Sequence, residues 1–302
     1  MDQRGAVFNY ILMPILLLTV LLTGNLALGA EDEPVVIFST TAIRPGDFLQ
    51  VQVKTDPSSK GTARFLGRSK PLYPAPDRQS LIGLIAAPYR TQPGKYLLEI
   101  AVKNTQGTLV KEQRITVVPR KFGEQRIRVS EKMRRKTATE DKYAADARVG
   151  AVVREQAEAK RLAPLWEESF VWPLKGRKTS EFGLIRYVNN HETGRHSGWD
   201  LAAPTGTPVA AVNRGEVVFA GTLYATGYTV IIHHGLDFFS SYAHLSKIDV
   251  AEGELVKKGQ IIGKVGSTGL ATGPHLHLTF RVSDVPVDPA LVLGKQIEWS
   301  IK

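Results

Sequence analysis

Residues 171–302 restrict the fold more than any other part of the chain, because short apolar runs alternate there with glycine turns. The runs at 209–212, 215–219, 228–232 and 260–265 are rich in valine and isoleucine. Such runs, bounded by glycine, are typical of β-strands. Strands that follow one another without intervening amphipathic helices form antiparallel sheets. The sequence therefore predicts an antiparallel β domain over 171–302.

Three short stretches of this domain hold histidines that suit metal binding or proton transfer. His275 and His277 begin an apolar run, and residues i and i+2 of a strand share one face. His196 and Asp200 are four residues apart, but the glycines and the proline around them argue against a helix. We therefore expect these two residues to flank a bend that leads into a strand. His244 follows another β-like run, and we expect it near a strand end.

The composition limits which kind of metal site this could be. The chain of 302 residues has no cysteine, so disulfides and thiolate sites are excluded and any metal must be bound by imidazole and carboxylate. A net charge of +10 favours the binding of polyanions in general, without specificity for one class. Zinc-finger spacings, aromatic RNA-binding motifs and basic heptads do not occur in the sequence, so we expect no nucleic-acid partner.

Residues 34–119 are predicted to form a separate β domain. Leu49, Val51 and Val53 alternate with polar residues, and 95–103 alternates in the same way. Short strands punctuated by Pro-Gly turns at this spacing indicate an immunoglobulin-like β-sandwich. This segment contains no histidine and no catalytic constellation. We interpret it as a spacer or binding module.

The first 30 residues have the pattern of an export signal. Arg4 precedes an uncharged apolar run, and small residues at 27–30 precede the acidic residues that follow. This order is typical of a cleaved signal peptide, which we favour over an uncleaved signal anchor. In both cases we expect the remainder of the chain to lie outside the cytoplasm, in the periplasm or cell envelope, with the membrane contacted only through an uncleaved segment.

Residues 120–170 are predicted to be a charged helical connector. Residues 138–163 contain few helix breakers, and Pro164 would end the helix. Tyr143, Ala147 and Val152 provide a weak apolar stripe. The connector is either an arm that covers the following domain or a solvated helical linker, and we favour the linker.

The motifs His196-Ser-Gly-Trp-Asp200, Tyr242-Ala-His244 and His275-Leu-His277, in this order, resemble the lysostaphin-like (LytM-type) zinc metallopeptidases of bacterial peptidoglycan. The resemblance covers about residues 171–299. It implies that His196, Asp200 and His277 are zinc ligands and that His244 and His275 are catalytic histidines that do not bind the metal. An insertion-like segment at 184–190 departs from the family pattern.

The resemblance implies an endopeptidase that binds one Zn²⁺ per chain, acts on the peptide stems of peptidoglycan and hydrolyses their cross-links with metal-activated water. Together with the export signal, it predicts an exported enzyme, which we expect to be a monomer. The division of roles between His244 and His275 stays open. A non-catalytic wall-binding module, or an activator of another hydrolase, is the alternative. A lipoyl- or biotinyl-like carrier is disfavoured because Lys257 and Lys258 lack the residues that flank a modified lysine. We interpret His233 and His234 as structural, with only one of them facing inward.

Overall fold

The computed structural model describes residues 34–56, 58–105, 107–128, 140–160, 162–166 and 168–298. The predicted export signal at 1–30 lies outside these residues. Within the described ranges, no helix is long and apolar enough to cross a membrane.

The N-terminal part forms an eight-stranded sheet. Leu49, Val51 and Val53 are fully buried on one face of its third strand, which confirms the alternation seen in the sequence. The strand order is β1-β3-β6-β5-β4-β7-β8-β2. The strands are β1 Val35–Phe38, β2 Ala42–Ile43, β3 Phe48–Lys54, β4 Lys60–Phe65, β5 Arg68–Pro74, β6 Ser80–Ala86, β7 Gly94–Asn104 and β8 Gly107–Val117.

Strand β5 joins the two halves of this sheet. Its first five residues pair with β4, whereas Tyr73 and Pro74 at its end pair with β6. The sheet thereby encloses an apolar core that includes Leu98, Ile100 and Ile115. The immunoglobulin-like topology of this part stays a prediction.

The connector contains a strand as well as a helix. The strand is β9 Glu124–Ile127, and the helix is α1 Glu140–Ala159. The helix ends before the predicted stop at Pro164 because the following residues form tertiary backbone hydrogen bonds. The N–H of Leu236 donates to the Leu162 carbonyl at 3.0 Å, and the N–H of Leu165 donates to the His234 carbonyl at 2.8 Å.

The predicted apolar stripe of the helix is wrong. Tyr143 and Val152 are 39% and 50% exposed, whereas Gly150 and Ala157 are buried. Ala157 packs with Ile231 and other apolar residues of the C-terminal sheet. Ala157 therefore lies on the face of the helix that packs against the sheet, where its small side chain allows a close approach.

The C-terminal part forms a ten-stranded sheet in which every strand pair is antiparallel, as predicted. Its main path runs β10-β13-β20-β17-β16-β15-β18. The strands are β10 Arg177–Ser180, β13 Trp199–Ala202, β14 Pro208–Ala210, β15 Gly215–Leu223, β16 Gly227–His233, β17 Phe238–Ile248, β18 Leu255–Val256, β19 Ile261–Val265, β20 His275–Val282 and β21 Val285–Val287, and a 3-10 helix follows at Pro289–Leu291.

A small third sheet connects the connector to this domain. Strands β11 Ile185–Val188 and β12 His191–Arg195 form a hairpin, and β9 pairs with β11 in parallel. The segment 184–190, predicted to be an insertion-like loop, is therefore mostly strand.

The N-terminal and C-terminal sheets share one apolar core. Tyr73, Ile82 and Leu84 of the first sheet belong to the same buried cluster as Phe238 and Phe280 of the second. This cluster lies beside the sheet that carries the histidine motifs. The shared core therefore packs against the strands that carry the histidine motifs and restrains them.

Candidate metal and proton-transfer site

Two paired strands bring His196, Asp200 and His277 together. In the β13–β20 pair, Asp200 lies opposite His277, and His196 lies just before β13. This confirms the predicted bend into a strand at Asp200 and the predicted strand that begins at His275. Residues distant in the sequence therefore meet through one strand register.

Gly198 allows this register. A Cβ atom at this position would lie 2.0 Å from the carbonyl oxygen of Leu278 on β20. A side chain would push the two strands apart, because real Cβ atoms essentially never come within 3.0 Å of such an atom. The glycine between His196 and Asp200 is thus required by the close approach of the two strands that carry the site.

Three potential ligand atoms converge at the centre. His196 Nε2 lies 3.0 Å from Asp200 Oδ1, and His277 Nδ1 lies 2.8 Å from the same oxygen. The two ring nitrogens are 3.0 Å apart. His196 Nδ1 is 2.7 Å from the Glu181 carbonyl oxygen, which can only accept a hydrogen bond. Nδ1 therefore carries the hydrogen, and Nε2 directs its lone pair at the other two atoms.

These three residues could hold a metal ion. Two imidazole nitrogens and one carboxylate oxygen form a ligand set that suits Zn²⁺, and three protein ligands leave a fourth tetrahedral position open. The other nitrogen of His277, Nε2, lies 3.0 Å from the hydroxyl of Thr279, which fixes the ring. The donor set and its orientation thus fit a catalytic zinc site.

The environment of the three residues favours the forms that bind a cation. Burial lowers the pKa of His277 to about 4, so its imidazole is neutral at pH 7. Burial by itself would raise the pKa of Asp200, but its close contacts with the imidazoles of His196 and His277 outweigh this and the pKa is strongly lowered. Asp200 is therefore a carboxylate.

His244 and His275 lie beside this group, with their rings 4.7 Å apart. The Nδ1 atoms of His244 and His275 are each 2.8 Å from a backbone carbonyl oxygen, that of Thr268 and that of Gly273 respectively. A carbonyl only accepts, so in both rings Nδ1 carries the hydrogen and Nε2 is free to accept a proton. The pKa of His244 is lowered, chiefly by burial.

The prediction that His244 lies near a strand end is wrong. It lies within β17, where the pairing of this strand with β16 is irregular. Its φ of 61° lies in the left-handed region, which is uncommon for residues other than glycine. Backbone strain of this kind is concentrated at functional sites, where it fixes the direction of a side chain. Here it turns the His244 ring out of the regular strand and into the site.

The five predicted residues line one cleft of about 580 Å³. Its walls come from the C-terminal sheet, from the β11–β12 hairpin and from the connector, which contributes Gln125 and Tyr143. Both polar and apolar side chains face this space. This volume lies within the range of ligand-binding clefts in proteins.

Residues 194–289 match the model of Peptidase family M23. Over 83% of this chain and 95% of its own length, a crystal structure from Pseudomonas aeruginosa described as a peptidase M23 has the same fold, with 30% sequence identity and a TM-score of 0.57. The chain belongs to Peptidase family M23.

Curated relatives resemble only the M23 part of the chain. The DD-carboxypeptidase/endopeptidase Mpg of Neisseria meningitidis is 44% identical over 116 residues, which are 38% of this chain and 27% of that protein. The peptidoglycan DD-endopeptidase ShyA of Vibrio cholerae is 45% identical over 93 residues, which are 31% of this chain and 22% of that protein. The chain thus spans about a quarter of the length of these relatives.

The sequence did not reveal three further residues of the M23 cleft. Arg186 lies on β11, Gln125 on β9 and Tyr143 on α1. The Asn-Asn pair at 189–190, with φ angles of 48° and 69°, is a two-residue turn signal that could have predicted the β11–β12 hairpin and hence Arg186. Gln125 had no local signal, because its position depends on pairing between β9 and β11.

His233 and His234 lie outside the M23 cleft. The prediction that only one of them faces inward is wrong, because both are completely buried. His233 stacks on Phe239, with ring centroids 4.6 Å apart. His234 lies 2.8 Å from the hydroxyl of Ser240 and 2.7 Å from the Arg214 carbonyl oxygen. The two residues are buried on opposite sides of the sheet.

Proposed function

We propose that the chain is an exported zinc-dependent endopeptidase that hydrolyses peptide cross-links of bacterial peptidoglycan. His196, Asp200 and His277 bind one Zn²⁺ per chain, and His244 and His275 handle protons. The observation that carries the proposal is the convergence of His196 Nε2, His277 Nδ1 and Asp200 Oδ1 within one cleft, next to two histidines whose Nδ1 atoms carry the hydrogen.

Zinc bound by two imidazoles and one carboxylate supplies a Lewis acid that polarises a carbonyl group and lowers the pKa of a coordinated water towards about 7. The chain's own residues prepare the site for that ion. Glu181 fixes the tautomer of His196 through its carbonyl, and Thr279 holds the ring of His277. These contacts orient the ligands before the ion binds.

His244 and His275 are suited to general acid–base catalysis. Their Nδ1–H groups are held by carbonyl oxygens, so each ring presents Nε2 as the reactive atom. One Nε2 can take the proton of the attacking water, and the protonated ring can then donate to the leaving amine or to the developing oxyanion. His275 Nε2 is 3.8 Å from Asp200 Oδ1, close to the centre where the bond breaks.

Family membership supports the choice of substrate class. Relatives that share the M23 part are named peptidoglycan DD-endopeptidases. We therefore propose the peptide stems of peptidoglycan as the substrate and an extracytoplasmic location, which agrees with the export signal predicted at 1–30. The metal site is completed within one chain, so a monomer suffices for the reaction.

A set of alanine variants tests this proposal. We expect purified wild-type protein to hold about one zinc per chain, while His196→Ala and His277→Ala lose zinc and their hydrolysis of peptidoglycan falls to background. We expect His244→Ala and His275→Ala to keep zinc but to lose about 10²- to 10⁴-fold in rate, the usual contribution of general acid–base catalysis. Metal analysis and mass spectrometry of digested peptidoglycan provide both readouts, and the latter also identifies the cleaved bond.

The exposed His191 on β12 provides the matched control, and His191→Ala should leave zinc content and rate unchanged. Full activity of either ligand variant would contradict the proposal. Wild-type protein that holds zinc but cleaves no peptidoglycan fragment would instead favour a non-catalytic wall-binding or activator module.

A further inference from the structure

The two carboxylate oxygens of Asp200 have different partners. Oδ1 contacts His196 and His277 at the centre of the site. Oδ2 points to the guanidinium group of Arg186, whose Nη2 donates to it at 3.3 Å. One oxygen therefore lies at the centre of the proposed metal site, and the other is held on the side of the β11–β12 hairpin.

Arg186 is itself held by the connector. Its Nε donates to Gln125 Oε1 on β9 at 2.9 Å, and Gln125 Nε2 donates to Ser180 Oγ at 3.0 Å. Ser180 lies directly opposite Asp200 in the β10–β13 pair. The contacts thus form a closed ring that starts and ends on the strand of Asp200. Such a ring fixes both the position and the angle of the guanidinium.

Two effects of Arg186 on a bound cation have opposite signs. Its positive charge repels the cation, whereas its hydrogen bond prevents the carboxylate from rotating and presenting both oxygens. The side chain of Arg186 is 33% exposed, so part of its charge is solvated, while that of Asp200 is only 10% exposed. Loss of an outer partner of a metal ligand lowers metal affinity about 10- to 100-fold. The orienting effect is therefore the larger one.

We propose that Arg186 is a positioning residue that holds Oδ2 of Asp200, so that Oδ1 alone is offered to the metal, and that Gln125 acts through Arg186. This inference rests on the proposed zinc site and extends it to the connector. Strand β9 then serves the metal centre as well as linking two sheets. Lysine cannot replace Arg186, because one ammonium group cannot reproduce the fixed spacing of Nε and Nη2.

Cobalt binding to the full-length chain tests the inference, because the visible absorption of Co²⁺ reports its coordination number. We expect Arg186→Ala to bind Co²⁺ about 10- to 100-fold more weakly than wild type. Its absorption should also weaken, because Asp200 can then add its second oxygen. We expect Arg186→Lys to have the same weakened Co²⁺ affinity and absorption as Arg186→Ala. We expect Gln125→Met to weaken the affinity and the absorption too, but by less. The double variant Gln125→Met, Arg186→Ala should match Arg186→Ala alone.

Arg126→Ala is the matched control, because Arg126 is an exposed arginine on β9 that pairs with Glu124. We expect it to keep the affinity and the spectrum of wild type. Thermal melts of the metal-free variants monitor folding, and Gln125→Met and Arg186→Lys are mild enough to retain it.

Unchanged or tighter Co²⁺ binding by Arg186→Ala, with an unchanged spectrum, would overturn the inference while leaving the proposed function intact. Additive effects in the double variant would overturn the part assigned to Gln125. Wild-type chain that binds no Co²⁺ would overturn the zinc site and this inference together.

Discussion

At the scale of single residues, the burial of His233 carries a desolvation cost. Its ring is completely buried and, within the described part of the chain, neither ring nitrogen has a hydrogen-bond partner. A buried polar group without a partner costs about 1–3 kcal/mol. Stacking on Phe239 offsets only part of this, since an aromatic pair contributes about 0.5–1.5 kcal/mol. The His233 ring therefore fills its buried position by shape and stacking, and its nitrogens contribute no hydrogen bonds to the described residues there.

We predict that His233→Leu raises the free energy of unfolding at pH 7 by on the order of 1 kcal/mol, because leucine has a similar volume and no polar atoms to desolvate. Urea titration followed by circular dichroism measures the change. The exposed His191→Leu is the control and should have no measurable effect. A less stable His233→Leu protein would contradict this account of the buried ring.

The same substitution should change the pH dependence of stability. Burial lowers the pKa of His233 to about 3, below an ordinary value of about 6.5, so the unfolded chain binds more protons than the folded chain between these values. Stability is then fully present above about pH 6.5 and is lost as pH falls towards 3. His233→Leu should reduce this slope by up to about 1.4 kcal/mol per pH unit. The slope that remains includes His234, whose pKa burial lowers to about 4.

Among the elements, helix α1 is held by a carboxylate at the end that borders the cleft. The backbone N–H groups of Tyr224 and Ala225 donate to Asp146 at 2.9 and 2.7 Å. The rings of Tyr143 and Tyr224 meet edge-on, with centroids 6.0 Å apart. Much of the remaining surface of this half of the helix is exposed. Local opening of the helix should therefore depend on Asp146.

We predict that Asp146→Ala increases amide hydrogen exchange about 10- to 100-fold in residues 140–150, because a hydrogen bond to a charged group contributes about 1.5–3 kcal/mol. Mass spectrometry of exchanged peptides measures this. Asp141→Ala changes an exposed acid of the same helix and should leave exchange unaltered. Equal protection in Asp146→Ala and wild type would show that the helix is held by other contacts.

Elements set by local pattern could be predicted from the sequence, whereas those set by tertiary pairing could not. The alternation of Leu49, Val51 and Val53 with polar neighbours predicted a strand, and β3 spans Phe48–Lys54 around these residues. The end of α1 was missed because the backbone after it bonds to residues 234 and 236. Likewise, the Arg186–Gln125 contact joins residues 61 apart in the sequence, through a parallel pairing that has no short-range signal.

For the whole molecule, the contact between the two large sheets is polar as well as apolar. Arg120 forms ion pairs with Asp47 of the N-terminal part and Asp288 of the C-terminal part. The hydroxyl of the buried Tyr73 on β5 donates to Asp237, in the turn between β16 and β17. Burial raises the pKa of Asp237 to about 6, although the Tyr73 hydrogen bond opposes the increase. The two sheets should therefore unfold as one cooperative unit.

We predict that Tyr73→Phe lowers the free energy of unfolding at pH 7 by about 1–3 kcal/mol, because the buried Asp237 carboxylate then loses the donor on Oδ1 and keeps the Ser283 hydroxyl, 3.4 Å from Oδ2. Removing the donor raises the folded pKa of Asp237 further. A group with a raised folded pKa favours folding at low pH and loses that contribution as pH rises through the folded pKa. The loss in Tyr73→Phe should therefore be greatest at neutral pH and should shrink below about pH 6.

Differential scanning calorimetry at pH 7 and pH 5 measures this, with Tyr96→Phe as the control. The Tyr96 hydroxyl donates to the Gln92 carbonyl within the N-terminal sheet and makes no contact with Asp237. We expect one transition in wild type and in both variants, with a lowered midpoint only in Tyr73→Phe. Two separate transitions in wild type would contradict the single cooperative unit. A pH-independent loss in Tyr73→Phe would contradict the role of the Asp237 charge, because the cost of removing a donor from the carboxylate must shrink once that group is protonated.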